Sequence, residues 1–449
     1  MNNQVLQNSP FDDLGSTATN VGDGFTMLAV GDLIVSRRLA EEQHPGLTDI
    51  VKLIRQSDVA FGNLETNIFD IRTFAGGSPL SEYTGGAISS LLEVAPDLNS
   101  IGFNIVSRAN NHTFDWGLEG MRETGRMLDR HGIVHAGVGE NLAHAGAPRF
   151  LETPRGRAAL VSFASTFTPW SRAGDPAGEA PGRPGLNSLR LKRNVVVRPD
   201  MLECVRRIRE ALPNPKLDIA DVNAAVLAGV TFKSGDSVRY SYEPHSSDAA
   251  RILRNVRQGK QFSDFVIATN HDHSPGNWSE EPPDYARSFA YKLIDAGADA
   301  HVIHGPHRLR GIEIYKNRPI FYSLGNFIFD SLQTPLGADM FAAYGKDAMV
   351  DTEADLQGAT IRDFADPAFY ESVVAISKFQ QNQLVELLLY PVELGFSKRL
   401  ANRGVPCLAP PTQARNILER LQKLSRPFGT QISIEDNIGL IRLKPVTGL

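Results

Sequence analysis

The sequence predicts an α/β layered fold, in which buried strands and amphipathic helices alternate along the chain. Short apolar runs, the first at 25–30, end in polar loops and are followed by segments with helical spacing, such as 49–57. The next apolar run, 58–61, repeats the pattern. Repetition of strand, polar loop and helix is typical of α/β proteins. At 449 residues the chain is long enough for one large domain or two.

The same alternation continues toward the C-terminus. Further helices are predicted at 86–94, 118–131, 199–211, 247–258, 283–296 and 412–424, and further strands at 105–107, 133–136, 158–164, 262–269, 300–303, 311–315, 320–324 and 383–390. Weak periodicity predicts an irregular segment at 333–367. The expected organisation is a flexible N-terminal arm (1–24), a main domain (25–330) with a long loop at 169–185, and a C-terminal extension (331–449) completing the sheet and cleft.

Composition and charge exclude several classes of function. The formal net charge is −5, from 51 acidic and 46 basic residues, so no basic excess favours nucleic-acid binding. The chain has 2 cysteines, too few for a disulfide framework or a cysteine-based zinc site. The first twenty residues lack the pattern of a secretory signal, and no apolar run approaches the roughly 20 residues of a spanning helix. We therefore expect a cytoplasmic protein without a membrane anchor.

Polar side chains follow the predicted strands where loops of an α/β fold converge. Asp32 and Glu65 each come just after an apolar strand; either could ligate a metal, and Glu65 could be shared by two. Each alone also fits an N-cap or turn carboxylate. Asn111 offers an uncharged amide oxygen, while the adjacent His112 could donate a proton and Asp115 could orient it. A polar turn is the alternative reading of this segment.

Four of the 11 histidines lie in two short clusters at predicted strand ends. His271 and His273 alternate on an extended segment and therefore share a face. His304 and His307 are three residues apart after another strand. Imidazole and carboxylate mixtures bind Zn, Mn or Fe, so the pattern predicts a divalent metal centre, with two ions in one cleft. Arg37, close to Asp32, could hold an anionic substrate group or could be a solvated cation.

These clusters, in this order, resemble the CapA family, which is named for poly-γ-glutamate capsule synthesis and is related to the calcineurin-like metallophosphatases. Other matching stretches are 137–141, 293–299 and 321–327, and the resemblance spans about 26–330. It implies a metallophosphatase-like four-layer α/β/β/α sandwich with a metal centre among its loops. It also implies His112 as the acid/base residue and a set of metal ligands: Asp32, Glu65, Asn111, His271 and His304, with His307 as a further candidate.

The chain departs from the phosphatase pattern at several positions. Ile34 stands where a histidine usually follows the first aspartate, and Glu65 replaces the usual bridging aspartate. The last motif reads His-x-x-His instead of His-x-His, and His273 lies in a segment where the family commonly has Trp-Gly. We therefore expect the metals to be held differently, or one tightly and one weakly.

The combined features predict a metal-dependent hydrolase. A metal-activated water would attack a peptide-like amide, with γ-glutamyl bonds as one candidate, and His112 would protonate the leaving group. His273 and Arg37 would contact a small-molecule or peptide-like substrate. The alternatives are a phosphomonoesterase or phosphodiesterase with Arg37 on the phosphate, a metal-assisted peptide epimerase, and a non-catalytic capsule or polymer assembly factor.

Overall fold

The structure, a computed structural model, describes residues 19–39, 44, 46–76, 88–213, 221–330, 337–360 and 364–443. It is a mixed α/β structure built on several sheets, as the sequence predicts. Most of the predicted N-terminal arm, up to residue 18, lies outside the described residues.

The helices and strands of the described chain follow closely on one another. The helices are α1 (Leu47–Arg55), α2 (Val94–Ile101), α3 (Gly117–Arg130), α4 (Leu142–Gly146), α5 (Pro199–Ala211), α6 (Ser246–Phe262), α7 (Asp284–Asp295), α8 (Ala338–Ala343), α9 (Glu353–Thr360) and α10 (Pro411–Ser425). The strands are β1 (Phe25–Ile34), β2 (Val59–Leu64), β3 (Asn67–Ile68), β4 (Ser89–Ser90), β5 (Ile105–Ser107), β6 (Val134–Ala136), β7 (Val138–Gly139), β8 (Arg149–Thr153), β9 (Gly156–Ala164), β10 (Gly185–Leu186), β11 (Leu191–Val197), β12 (Ala224–Leu227), β13 (Val230–Ser234), β14 (Arg239–Pro244), β15 (Phe265–His271), β16 (Ala300–His304), β17 (Ile312–Tyr315), β18 (Arg318–Phe321), β19 (Asn326–Phe329), β20 (Glu371–Gln380), β21 (Gln383–Glu393), β22 (Cys407–Leu408), β23 (Ser433–Glu435) and β24 (Ile438–Arg442).

Two large sheets form the centre of the structure. The first has the order β23-β24-β21-β20-β1-β2-β5-β6, with β19 pairing alongside the end of β1, and the second has the order β17-β18-β16-β15-β9-β8. In the first sheet β1, β2, β5 and β6 are mutually parallel, and in the second sheet β9, β15 and β16 are parallel. The carboxyl ends of parallel strands lie at the same end of a sheet, and the loops that leave them come close together there.

Three hydrophobic clusters bury the faces of these sheets. One joins Met27 and Phe61 of the first sheet to Leu160 and Ile267 of the second, so the two sheets pack face to face. A second cluster covers the other face of the first sheet with α1 and α2. A third covers the other face of the second sheet with α6 and α7. Both sheets are therefore buried on both faces, which explains why their strands read as continuous apolar runs.

Several predicted elements differ from the structure. The helix expected at 86–94 is wrong over its described part, where a two-residue strand, β4, precedes a helix that begins at Val94. The segment 333–367, expected to be irregular, contains α8 and α9 among its described residues. The strand β20 and the separate four-stranded sheet of β11 to β14 were not predicted. β20 and β12 each form a hairpin with the next strand, but β20 also pairs with β1 and β11 pairs with β14, far away in sequence, so local periodicity is a weak signal for these sheets.

A search for membrane-crossing helices gives a negative result. Of the helices in the described ranges, none combines the length and the apolar character that a membrane span requires.

The strand β1 is irregular just before Asp32. Its register with β2 shifts between Ala29 and Asp32, as in a β-bulge. A Cβ atom on Gly31 would lie 1.8 Å from the carbonyl oxygen of Gly325, and the backbone N–H of Asp32 donates to that same oxygen at 3.0 Å. Only glycine allows this close approach of the two backbones.

We expect the substitution Gly31→Ala to destabilise the fold by more than about 2 kcal/mol, because the added methyl group must displace backbone atoms. Denaturant unfolding of the purified chain measures the effect. The matched control is Gly358→Ala in α9, where a Cβ meets nothing within 4 Å. That change should be neutral or stabilising by up to about 1 kcal/mol. Equal unfolding midpoints for Gly31→Ala and wild type would contradict the close approach.

Candidate metal centre

The carboxyl ends of parallel strands from both large sheets meet at one place. Asp32 lies near the end of β1 and pairs in register with Asn63 of β2, and Glu65 follows β2 directly. From the facing sheet, His271 ends β15 and His304 ends β16, and these two are register partners. Each of these side chains is fully buried or nearly so. Residues from separate stretches of chain thus form one buried polar cluster.

The two carboxylates of the cluster are close to each other and carry opposite pKa shifts. The amide nitrogen of Asn63 donates to Asp32 Oδ1 at 2.9 Å and to Glu65 Oε2 at 3.4 Å. Burial raises the pKa of Asp32, but the neighbouring imidazoles of His304 and His271 outweigh it and leave that pKa below its ordinary value. Burial and the charge of Asp32 raise the pKa of Glu65 well above its ordinary value.

Two of the histidines, His271 and His273, lie in contact with each other beside the carboxylates. His271 Nε2 lies 2.7 Å from Asn111 Oδ1 and 2.9 Å from His273 Nε2. Burial and the nearby His273 lower the pKa of His271 well below its ordinary value, and burial together with His307 lowers the pKa of His273 to about 3. Neutral imidazole is the form that binds metals, so these rings are ready to act as ligands at neutral pH.

Two triads of these residues bring their ligand atoms close enough together to hold a metal ion. In the first, Asp32, Glu65 and His271 offer ligand atoms that all lie within 4.8 Å of one another. In the second, Glu65, His273 and His307 meet the same limit. Glu65 belongs to both triads, and a carboxylate can bridge two cations. His304 belongs to neither triad, but its Nδ1 lies 3.5 Å from Asp32 Oδ1.

The hydrogen bonding of the cluster is incomplete in a way that fits a metal. Within the described chain, both ring nitrogens of His304 and Oε1 of Glu65 are buried and lack a hydrogen-bond partner. Each such group costs about 1–3 kcal/mol, which coordination to a cation would offset. His307 has a positive φ of 58°, a strained conformation for a non-glycine residue and one that clusters at functional sites. The donor set and its unsatisfied atoms therefore fit divalent metal ions.

A histidine–aspartate pair lies beside the triads. His112 Nδ1 is 2.7 Å from Asp115 Oδ2, and His112 Nε2 faces Glu65 Oε1 at 3.8 Å. Asp115 Oδ2 also accepts a hydrogen bond from the backbone N–H of Ile88 at 2.8 Å, which fixes the carboxylate. An Nδ1–H of His112 donated to Asp115 leaves Nε2 as the ring nitrogen that faces Glu65.

One sequence-predicted site residue lies apart from the others, and one contact residue was not predicted. Arg37 donates to Asp330 Oδ2 at 2.8 Å and to the backbone carbonyl of Ala401. These partners lie outside the cluster of carboxylates and histidines. Asn63 was not predicted as a site residue, although it contacts Asp32, Glu65 and, at 3.2 Å, His271 Nδ1. Its position two residues before Glu65 on a strand was the available signal, because such residues share a face.

Comparison with known proteins identifies the class to which this fold and site belong. The model of the family described as bacterial capsule synthesis protein PGA_cap matches residues 26–331. The chain therefore belongs to this family, as the resemblance to CapA proteins predicted.

Three relatives illustrate the range of similarity. The uncharacterized protein y4sH of Sinorhizobium fredii is 63% identical over 444 residues, covering 96% of each chain. The capsule biosynthesis protein CapA of Bacillus anthracis is 24% identical over 68% of this chain and 60% of its own length. The PGA biosynthesis protein CapA of Bacillus subtilis is 22% identical over 67% of this chain and 62% of its own.

A solved structure of a hypothetical protein from Thermus thermophilus aligns with 82% of this chain and 99% of its own. The identity is 11% and the TM-score is 0.36, so no conclusion about the fold rests on this alignment.

We expect the variants Asp32→Ala and His304→Ala to retain less than about half of the metal that the wild-type protein binds, because each removes a donor from the cluster. Inductively coupled plasma mass spectrometry after dialysis against buffered Mn²⁺ or Zn²⁺ measures the content. His144→Ala, an exposed histidine outside the cluster, is the matched control. Wild-type metal content in both cluster variants would remove these residues from the ligand set.

Proposed function

We propose that this protein is a metal-dependent hydrolase that cleaves a peptide-like amide, with γ-glutamyl bonds as the first candidate. The observation that carries the proposal is the pair of triads sharing Glu65, with the His112–Asp115 pair facing the shared carboxylate. Two adjacent cations and a positioned proton donor are the parts that hydrolysis of an unreactive bond needs.

The proposed scaffold is a metallophosphatase-like four-layer α/β/β/α sandwich. Its support is the order of the three hydrophobic clusters, since helices cover the outer face of each sheet and the inner faces contact each other. In such an arrangement the loops at the carboxyl ends of both sheets open into one crevice.

Each residue of the cluster has a distinct role in the proposal. Divalent ions bound by the triads would supply Lewis acidity that lowers the pKa of water to near neutrality. Glu65 contributes to both ion sites, while Asn63 orients it and Asp32. His112, with its Nδ1 proton held by Asp115, exchanges a proton at Nε2 with the leaving group. Asn111 keeps the ring of His271 in place through the 2.7 Å contact.

An amide substrate is favoured over a phosphate ester by the charges near the triads. Among the described residues, no arginine or lysine forms an ion pair with Asp32 or Glu65 or hydrogen-bonds the triad histidines, and Arg37 is paired with Asp330. Phosphoryl transfer commonly relies on such cations to hold the transferred group. The names of two relatives, which refer to capsule and PGA biosynthesis, support an acidic polymer as the substrate class.

For the domains, we propose that residues 25–330 carry the site and that 331–449 complete the first sheet and the cleft. The strands β20 and β21 extend that sheet next to β1. The ring of Phe364 packs edge-on against His307 with centroids 5.4 Å apart, and Asn326 donates to the carbonyl of Phe369 at 2.9 Å. The extension thereby supports the second triad.

We expect His112→Gln to lower the rate of γ-glutamyl peptide cleavage about 100- to 10,000-fold, because the proton donor is lost while the metal triads are kept. Asp115→Asn should have a smaller effect in the same direction. The measurement is kcat with synthetic γ-glutamyl peptides on Mn²⁺- or Zn²⁺-loaded protein, alongside metal content. The control is His144→Ala, because His144 is exposed and its backbone N–H donates to Asn141, outside the cluster.

Three outcomes would replace the proposal with another function. Hydrolysis of p-nitrophenyl phosphate without cleavage of any γ-glutamyl peptide would identify a phosphatase. Incorporation of solvent deuterium at an α-carbon without cleavage would identify an epimerase. Stoichiometric metal with none of these activities would favour an assembly factor.

A further inference from the structure

A group of arginines lies across the second sheet from the candidate metal centre, along a row of paired residues. His304, His271 and Ala164 are register partners on β16, β15 and β9. Ala164 in turn forms a parallel bridge with Ser188. The side chains of residues paired in this way point to the same side of a sheet. Each pair spans the distance between neighbouring strands, about 4.8 Å. Ser188 therefore lies about 10 Å from His271 across the sheet, on the side that carries the site.

Arg172 and Arg251 contact Ser188, Arg183 contacts Arg172, and Arg190 shares Asp248 with Arg251; we define these four arginines as the arginine cluster. Arg172 donates from Nε to Ser188 Oγ at 3.3 Å, and Arg251 donates from Nη2 to the Ser188 carbonyl at 2.7 Å. Arg183 donates from Nε to the Arg172 carbonyl at 2.7 Å. The segment that carries Arg172 begins at the metal centre, where Thr166 Oγ1 accepts from the backbone N–H of His273 at 2.9 Å.

One aspartate orders part of this cluster. Asp248 is buried and accepts hydrogen bonds from Arg190 Nε at 2.7 Å and Nη2 at 2.9 Å, and from Arg251 Nη1 at 3.2 Å. Two of the guanidinium groups are therefore held in fixed positions. A preordered cationic frame binds an anion without the entropy cost of arranging flexible side chains.

The cluster carries more positive charge than the described chain neutralises. In the described part of the chain, neither Arg172 nor Arg183 has an ion pair with an acidic side chain, and Asp248 is paired with Arg190 and Arg251. Partial burial and the charge of Arg190 are the main causes that lower the pKa of Arg172, with Arg183 and Arg251 adding to them. Like charges gathered around a half-buried side chain are costly unless an anion joins them.

We propose that the arginine cluster is an anion subsite that binds a carboxylate of the substrate next to the reacting bond, with Arg172 as its principal contact. The subsite suits a polymer or oligomer with repeated carboxylates, because a charge beside the cleaved amide can reach the cluster while the amide reaches the triads. Guanidinium groups bind carboxylates through paired N–H donors, which gives both strength and orientation. The inference deepens the proposed function and rests on it for the identity of the reacting bond.

The test is the affinity of two probes measured by isothermal titration calorimetry on the full chain, with and without a metal chelator. The first probe is a γ-linked glutamate pentamer, and the second is the same pentamer with every α-carboxylate converted to an amide. We expect the wild type to bind the carboxylate form at least about tenfold more tightly, the value of one charge-assisted hydrogen bond. The variant Arg172→Gln should lose that preference, and the variant Arg172→Lys should retain part of it.

The matched control is Arg415→Gln, which removes the same charge from an exposed arginine of α10 and should bind both probes as the wild type does. Thermal unfolding and metal content of Arg172→Gln should equal those of the wild type, since the residue contacts neither triad. Equal affinity of the two probes for the wild type, no binding of either, or an unchanged preference in Arg172→Gln would overturn the proposal. Stronger competition by inorganic phosphate than by acetate at equal ionic strength would also overturn the carboxylate assignment.

Failure of the proposed function has a different signature. A charge preference that depends on Arg172 in a protein that cleaves neither probe would leave the subsite standing and refute the hydrolase. Cleavage of both probes with the same kcat/KM would refute the subsite and leave the hydrolase standing.

Discussion

Burial of the Asp32 and Glu65 carboxylates where the two sheets meet is the constraint on which the rest of the site depends. Removing a carboxylate from water costs several kcal/mol unless partners replace the solvent. Asn63 donates to both side chains, and the buried imidazoles of His271 and His304 approach them from the facing sheet. Burial, together with the charge of Asp32, raises the pKa of Glu65. Such an arrangement destabilises the fold, and cations bound between these groups would offset that cost.

The face-to-face packing of the sheets assigns different chemistry to each of them. The first sheet delivers the carboxylates and, beyond β5, the His112–Asp115 pair, whereas the second delivers His271 and His304. The same edge of the second sheet continues through Ala164 to Ser188 and the arginine cluster. The candidate metal centre and the proposed substrate anchor thus lie on one sheet, and sites built on strands hold their geometry within narrow limits.

The C-terminal residues contribute to the site through support of the backbone and rings. His307 adopts its strained φ of 58° with Nδ1 held by Asn326 at 2.8 Å and its ring covered by Phe364. Strain of this kind costs about 1–3 kcal/mol and persists when the surroundings fix it. Asp330 and its partner Arg37 join the end of the main domain to the loop after β1. The second triad therefore depends on contacts from well beyond its own loop.

The sequence by itself determined the local features: strands ending in polar clusters, and the candidate residues Asp32, Glu65, His271 and His304 at those ends. These follow from alternation and periodicity within a few residues, so a single segment carries the signal. Tertiary structure decided that Glu65 belongs to both triads, that Asn63 joins the carboxylates, and that Arg37 pairs with a residue 293 positions away. It likewise placed β20 beside β1. These outcomes depend on contacts between distant segments, whose free energy is set by packing and burial in three dimensions and leaves no local pattern.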